Sequence, residues 1–123
     1  MQRVLGIQRT ALFPEFRDHL LYWMRVFSKK TITDYGNANA QAREELNIWF
    51  AQVEFAQWSN LNDLKRDMPA TDYIADNRYV FNIKGNHYRL IAMFFFPTKQ
   101  VYIRGIYTHA QYSKLSKKQI AVL

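Results

Sequence analysis

The segment from Asp76 to Leu123 concentrates side chains that can act on a phosphate. The 123-residue chain carries a formal net charge of +7, and this segment holds eight basic residues against Asp76 as its one acid. Lysine and arginine bind phosphate and stabilise charge that develops on it. Histidine or tyrosine can move a proton, and tyrosine can stack on an unpaired base. This set suffices for metal-independent RNA cleavage, in which the ribose 2′-hydroxyl attacks its own phosphate.

A predicted hairpin brings several of these groups to one face. Residues 79–83 and 88–96 alternate as strands do, and Gly85 in the first loop position suits a type II′ turn of two loop residues. That register sets Asn82 opposite Arg89, and directly opposed residues share a face. One face therefore collects Asn82, Lys84, His87 and Arg89.

A third strand, 101–107, extends this patch if the turn at residues 97–100 holds its register. It adds Tyr102, Arg104 and Ile106 to the patch and brings Thr108 beside Arg89, with His109 and Tyr112 just beyond. The acidic residues other than Asp76 fall in the helical half. We therefore expect no carboxylate-bound Mg²⁺ here, and no metal or cofactor at all.

The elements that must position the patch are helices followed by an antiparallel meander. Residues 24–28 form a short strand, residues 29–36 a helix ended by Gly36, and Ser59 or Asn60 caps a helix that Pro69 ends. The strongest helical signal is 39–57, whose apolar stripe is Leu46, Trp49, Phe50, Val53 and Ala56. Residues 110–115 can form a terminal helix. The fold class is α+β, with helices on one face of a small, mainly antiparallel sheet.

Several function classes are excluded by composition. The chain has no cysteine, which excludes disulfides, thiolate nucleophiles and zinc ribbons. Its longest apolar run, residues 90–96, is far shorter than the ~20 residues that span a membrane. No basic stretch followed by an apolar segment opens the sequence, so we expect no export signal and a cytoplasmic protein.

Plainer interpretations of the same residues stay open. Arginine and lysine on an exposed strand are often solvent-facing, His87 can be a simple turn residue, and Tyr112 can pack the last helix. The apolar positions Ile91, Met93, Phe95 and Ile106 and the tail 120–123 either meet a partner or pack on the C-terminal segment or the N-terminal extension. Residues 1–23 are an N-terminal extension, either an upstream start or a helix from Pro14 to Trp23 that packs on the domain.

The blocks DNRYVFNIKGNHYRLI and VYIRGIYTHAQY resemble the HigB-type toxins of bacterial toxin–antitoxin pairs, within the RelE-like superfamily. The resemblance runs from Met24 to Leu115, including the opening MRV strand and the helices that carry Trp49 and Trp58. Members of this family typically begin at the position of Met24. The domains it implies are an extension at 1–23, a toxin domain at 24–118 and a tail at 119–123.

The resemblance implies an mRNA interferase that enters the ribosomal A site, cuts mRNA without a metal and stops translation. It implies Arg89 as the group that stabilises the strained phosphate, with Lys84 as a further catalytic cation. His109 and Tyr112 fall where the superfamily keeps a general acid or base and a stacking tyrosine. The expected RNA contacts are Arg78, Asn82, His87 and Arg104.

The expected partners are mRNA, the ribosome and a HigA-like antitoxin with a helix-turn-helix domain, which alone would contact DNA. The alternative function is a catalytically inert RNA- or ribosome-binding module of the same fold. A third possibility, a structural protein whose basic face has no role, predicts no growth arrest.

Overall fold

The computed structural model describes residues 23–123. The expectations for the extension, an upstream start or a helix from Pro14, concern residues 1–22 and lie outside the described part. Trp23 packs edge-to-face on Phe55, with ring centroids 4.9 Å apart. Within residues 23–123, no helix is both long and apolar enough to cross a membrane.

Five strands and five helices follow one another along residues 25–121. The strands are β1 (Arg25–Phe27), β2 (Asp72–Ala75), β3 (Arg78–Ile83), β4 (Tyr88–Phe95) and β5 (Gln100–Thr108). The helices are α1 (Lys29–Ala38), α2 (Ala40–Glu54), α3 (Leu61–Asp67), α4 (His109–Tyr112) and α5 (Lys117–Ala121). The predicted α+β class is confirmed.

The strands form one sheet in the order β1-β5-β4-β3-β2. Every neighbouring pair is antiparallel except β1 and β5, which run parallel because the helical half of the chain separates them. Strand β2 was not predicted, because its four residues follow a proline turn and are too few to show a clear alternation of apolar and polar side chains. Helix α1 runs past Gly36 to Ala38, so the predicted stop at Gly36 is wrong.

Helix α2 packs its predicted stripe on the sheet. Leu46, Trp49 and Val53 are buried, and the Trp49 ring meets Phe81 of β3 edge-to-face at 5.2 Å. Asn60 caps α3 by accepting from the Asp63 backbone N–H at 2.9 Å. The main core therefore fills the space between these helices and one sheet face, which carries Tyr79, Phe81, Ile83, Tyr88, Leu90, Ala92 and Phe94 as predicted.

The hairpin register is the predicted one, with Ile83 opposite Tyr88 and Asn82 opposite Arg89. The turn differs, because the strands end at Ile83 and Tyr88 and leave a four-residue loop. Gly85 has φ 63°, as a glycine turn requires, but Lys84 also has a positive φ, of 53°. This left-handed residue turns the Lys84 side chain away from the direction that strand alternation predicts.

A bulge in β5 overturns part of the predicted patch. Ile91 pairs with Gly105 and Ala92 with Ile103, so Arg104 is an extra residue in β5. Beyond it the side-chain alternation reverses. Ile106 therefore faces the main core, and Tyr107 rather than Thr108 lies opposite Arg89. Both earlier expectations, Ile106 on the patch and Thr108 beside Arg89, are wrong for this reason.

The second sheet face is covered in part by the C-terminal segment. Ile120 of α5 is buried against Val80 and Ile91, with Tyr112 and Leu123 beside them. Ile91 and the tail therefore pack on each other within residues 23–123, as one of the expected alternatives has it. Helix α4 is shorter than the predicted 110–115, and α5 crosses the expected boundary at residue 118.

Candidate functional site

Arg89 is held in a fixed position on the second face of the sheet. Its guanidinium donates to the Asn86 carbonyl oxygen at 3.2 Å, to Asn86 Oδ1 at 3.2 Å and to the Tyr88 carbonyl oxygen at 3.3 Å. A guanidinium has five N–H donors. Those three bonds leave two that no group within residues 23–123 accepts. An oriented cation with free donors is what a phosphate oxygen requires.

The ring of Tyr112 packs against the Arg89 guanidinium. The Arg89 guanidinium carbon lies 5.6 Å from the centroid of the Tyr112 ring, within the range of a cation–π contact. Burial raises the pKa of the Tyr112 hydroxyl, the Asp72 carboxylate raises it further, and Arg89 lowers it. The hydroxyl therefore stays protonated at neutral pH, so Tyr112 can donate a hydrogen bond or stack.

The hairpin turn and the start of α4 bring two histidines together. The His109 backbone N–H donates to the His87 carbonyl oxygen at 2.9 Å, which extends the β4–β5 pairing by one bond. Both imidazoles are exposed and line one shallow groove of about 390 Å³ with Asn86, Thr108 and Ala110. Asn86 connects the groove to the guanidinium, because it lines the groove and also accepts hydrogen bonds from Arg89.

The His87 ring is oriented by its own turn. Its Nδ1 lies 2.9 Å from the Lys84 carbonyl oxygen. A carbonyl only accepts, so Nδ1 carries the proton, and in the neutral ring Nε2 keeps a free lone pair. Nε2 can therefore take a proton from a substrate. A capping box at Thr108, whose side chain accepts from the Gln111 backbone N–H, fixes where α4 begins and so where His109 lies.

Lys84 lies apart from this group. Its Nζ donates to the Gln41 carbonyl oxygen of α2 at 3.4 Å, on the helical side of the sheet, whereas Arg89 faces Tyr112 on the other side. The expectation that Lys84 and Arg89 share one pocket is therefore wrong, because the positive φ at Lys84 redirects its side chain. Asn82 is exposed on β3, opposite Arg89 as predicted.

Arg78 and Arg104 bind the end of the C-terminal segment instead. Arg78 Nη2 donates to the Leu123 carbonyl oxygen at 2.9 Å, and Arg104 Nε donates to the same oxygen at 2.8 Å. Both guanidinium groups thereby anchor the segment that follows α5, away from Arg89. Their contact with RNA stays a prediction, and their geometry favours a structural role.

Sequence reasoning missed two contributors to the site, Asn86, which positions Arg89, and Asp72, which acts on Tyr112. Tyr107 was expected as a stacking ring, but its place opposite Arg89 was not. The expectation that only Asp76 is an acid near the sheet is wrong, since Asp72 belongs to β2. The signal for Asn86 was a side-chain carbonyl directly after the turn glycine, Gly85, and three residues before the strand arginine. Within residues 23–123, no group of three or more histidine or acidic residues could hold a metal ion.

The α+β fold, a five-stranded and mostly antiparallel sheet with helices, is consistent with that of a small RelE-like toxin. The family model for HigB_toxin, described as the RelE-like toxic component of a toxin–antitoxin system, matches residues 42–115. The mRNA interferase toxin HigB of Escherichia coli strain K12 is 31% identical over 91 residues, which covers 72% of this chain and 88% of the relative. The mRNA interferases HigB of Escherichia coli O157:H7 and Shigella flexneri match equally.

The chain therefore belongs to the HigB toxin family, as the resemblance implied. Membership in a family of toxin–antitoxin components also implies an antitoxin partner.

Proposed function

We propose that this chain is a ribosome-dependent endoribonuclease that cuts mRNA and so inhibits translation. One arrangement carries the proposal: Asn86 fixes Arg89 over the Tyr112 ring and also lines the groove of the two exposed histidines. The name of the Escherichia coli relatives, mRNA interferase, supports the same substrate class. The antitoxin is proposed to be HigA-like, with a helix-turn-helix domain.

The proposed chemistry is intramolecular. His87 Nε2 or His109 takes the proton of the ribose 2′-hydroxyl, whose oxygen attacks the adjacent phosphorus. The bond to the 5′-oxygen of the next nucleotide then breaks, and a protonated side chain returns a proton to that oxygen. The products are a 2′,3′-cyclic phosphate and a 5′-hydroxyl. The two free donors of Arg89 bind the non-bridging oxygens, and no step requires a metal.

The openness of the site supports a requirement for the ribosome. The histidine groove is shallow, its histidines are exposed, and it offers few groups that could hold an RNA strand in register. Cleavage requires the 2′-oxygen to be in line with the leaving oxygen, a geometry that free RNA seldom keeps. A ribosome-bound message provides that order, while Tyr112 and Tyr107 can stack on the exposed bases.

The test is to induce the chain with and without its antitoxin and to map mRNA 5′ ends. We expect growth arrest and cuts in translated messages, lost in Arg89→Ala and in His87→Ala His109→Ala. Arg66→Ala, an exposed arginine on α3, is the matched control and should cut normally. Cuts that persist in both site variants would refute the site. Ribosome binding without any cuts would instead support the inert binding module.

A further inference from the structure

A cluster of aromatic side chains lies at the opposite end of the second sheet face from the histidine groove. It consists of Phe27 of β1, Tyr102 of β5 and Phe95 of β4, and we call it the aromatic surface. The rings of Phe27 and Tyr102 are stacked, with centroids 4.9 Å apart and planes 14° from parallel. The Phe95 ring meets Tyr102 edge-on at 5.9 Å. Phe27 is 39% exposed, so part of this stack faces solvent.

Strand alternation places all three rings on the second face. Val26, Val101 and Phe94 pack in the main core, so the residue that follows each of them points to the other side of the sheet. The C-terminal segment packs on the middle of that side, around Val80 and Ile91. No ring of the aromatic surface belongs to that second cluster, so the C-terminal segment leaves the aromatic surface uncovered.

The groups around the aromatic surface are cationic. Arg25 is exposed two residues before Phe27, and its guanidinium makes no hydrogen bond or ion pair within residues 23–123. Arg104 follows Tyr102 by two residues and uses only Nε to bind the Leu123 oxygen, so its two Nη groups remain available within the same residues. Strands β1, β4 and β5 contain no acidic residue. A ligand that fits here combines negative charge with flat apolar groups.

This charge distinguishes among the possible occupants. A second copy that docked through the same surface would bring Arg25 and Arg104 against like charges. Residues 1–22 carry three basic and two acidic side chains, so they bring no net negative charge. An unpaired RNA strand has a negative phosphate at each nucleotide and exposes flat bases. Aromatic rings beside basic side chains are the combination that binds single strands without reading their sequence.

We propose that the aromatic surface binds an unpaired segment of the message, at a distance from the bond that is cut. A base stacks on Phe27, and the neighbouring phosphates bind Arg25 and Arg104. Arg89 and Phe95 lie on the same face, six residues apart on β4, which is roughly 20 Å, so one strand can reach both places. The proposal rests on the message as the substrate in the proposed function and is independent of the cleavage chemistry.

The first test is fluorescence anisotropy of the full chain with a labelled single-stranded oligoribonucleotide, in which 2′-O-methyl groups prevent cleavage. Phe27→Leu keeps the apolar bulk but removes the stacking face, so affinity should fall about tenfold. Arg25→Gln should weaken binding and reduce the slope of log affinity against log salt by about 0.7, the value for one phosphate contact. Phe55→Leu, a 52% exposed phenylalanine at the end of α2, is the matched control and should bind normally.

The second test identifies which RNA is bound. A message that carries photoreactive uridines is placed on ribosomes with the full chain, and we expect crosslinks between the message and the peptide that contains Phe27. In cleavage assays, Phe27→Leu should raise KM and leave kcat unchanged, because the lost contact is far from the reacting phosphate.

Unchanged oligonucleotide affinity in both Phe27→Leu and Arg25→Gln would overturn the proposal. Crosslinks from the β1 peptide to ribosomal RNA or to the antitoxin, without the message, would overturn it as well. A dimer that Phe27→Leu dissociates would assign the surface to a second copy instead. Should Phe27→Leu fail to fold, Arg25→Gln and the crosslinks still decide. A chain that binds the message here but never cuts it would refute the nuclease and leave this proposal standing.

Discussion

Replacing Arg89 tests the proposed chemistry most directly. Arg89→Ala removes the two free donors and the positive charge at the reacting phosphate. Loss of one preorganised donor of this kind typically costs 10²- to 10³-fold in rate, about 2.7–4 kcal/mol. We expect a loss of at least about 10²-fold. Arg89→Lys keeps the charge but cannot hold Asn86 and a phosphate in one plane, so we expect a loss of about tenfold.

The assay is single-turnover cleavage of a defined message on programmed ribosomes, followed by the appearance of the 5′-hydroxyl fragment. Stability is checked in parallel, because Arg89 also makes three protein hydrogen bonds. These bonds are partly exposed and together contribute on the order of 1 kcal/mol, so both variants should remain folded. A folded Arg89→Ala protein that cuts within a factor of about three of the unaltered chain would refute the role of Arg89.

Three further predictions concern stability and domain limits. Arg78→Ala and Arg104→Ala each remove a donor to the Leu123 oxygen. Each should therefore lower the free energy of unfolding in urea by about 1 kcal/mol and speed amide hydrogen exchange in α5. Unchanged exchange would contradict the anchoring role. Tyr35, Tyr79 and Tyr112 have raised pKa values, so the unfolded chain ionises first and stability should fall as the pH rises above about 10. Urea titrations from pH 8 to pH 11 should show a shallower fall in Tyr112→Phe, and an identical fall would contradict it. A chain that starts at Met24 should fold and arrest growth like the full chain, as growth curves and melting temperatures will show, and loss of either would make residues 1–23 part of the domain.

The main core could be predicted because its signals are local and repeated. The apolar stripe of α2 has several members at helical spacing, and Trp49 and Val53 are buried where it predicts. The hairpin register follows from strand lengths around one glycine, so Asn82 and Arg89 are correctly opposed. Both conclusions depend on residues a few positions apart, where geometry leaves few alternatives.

The site was predicted less completely, because small backbone irregularities decide it. One left-handed residue sends Lys84 to the helical side, and one extra residue in β5 exchanges Ile106 for Tyr107 at the patch. Neither has a sequence signal, since lysine and arginine do not mark a turn or a bulge. The hydrogen bonds from Arg78 and Arg104 to Leu123 join residues far apart in the chain, so they could not be predicted from the sequence either.

The extra residue in β5 also separates the side-chain alternation of the two halves of that strand. The half that pairs with β1 can vary to suit the packing under α1 and α2 without altering which side chains the other half presents beside the hairpin. Substitutions at Tyr107 should accordingly change which messages are cut sooner than they change whether the protein folds.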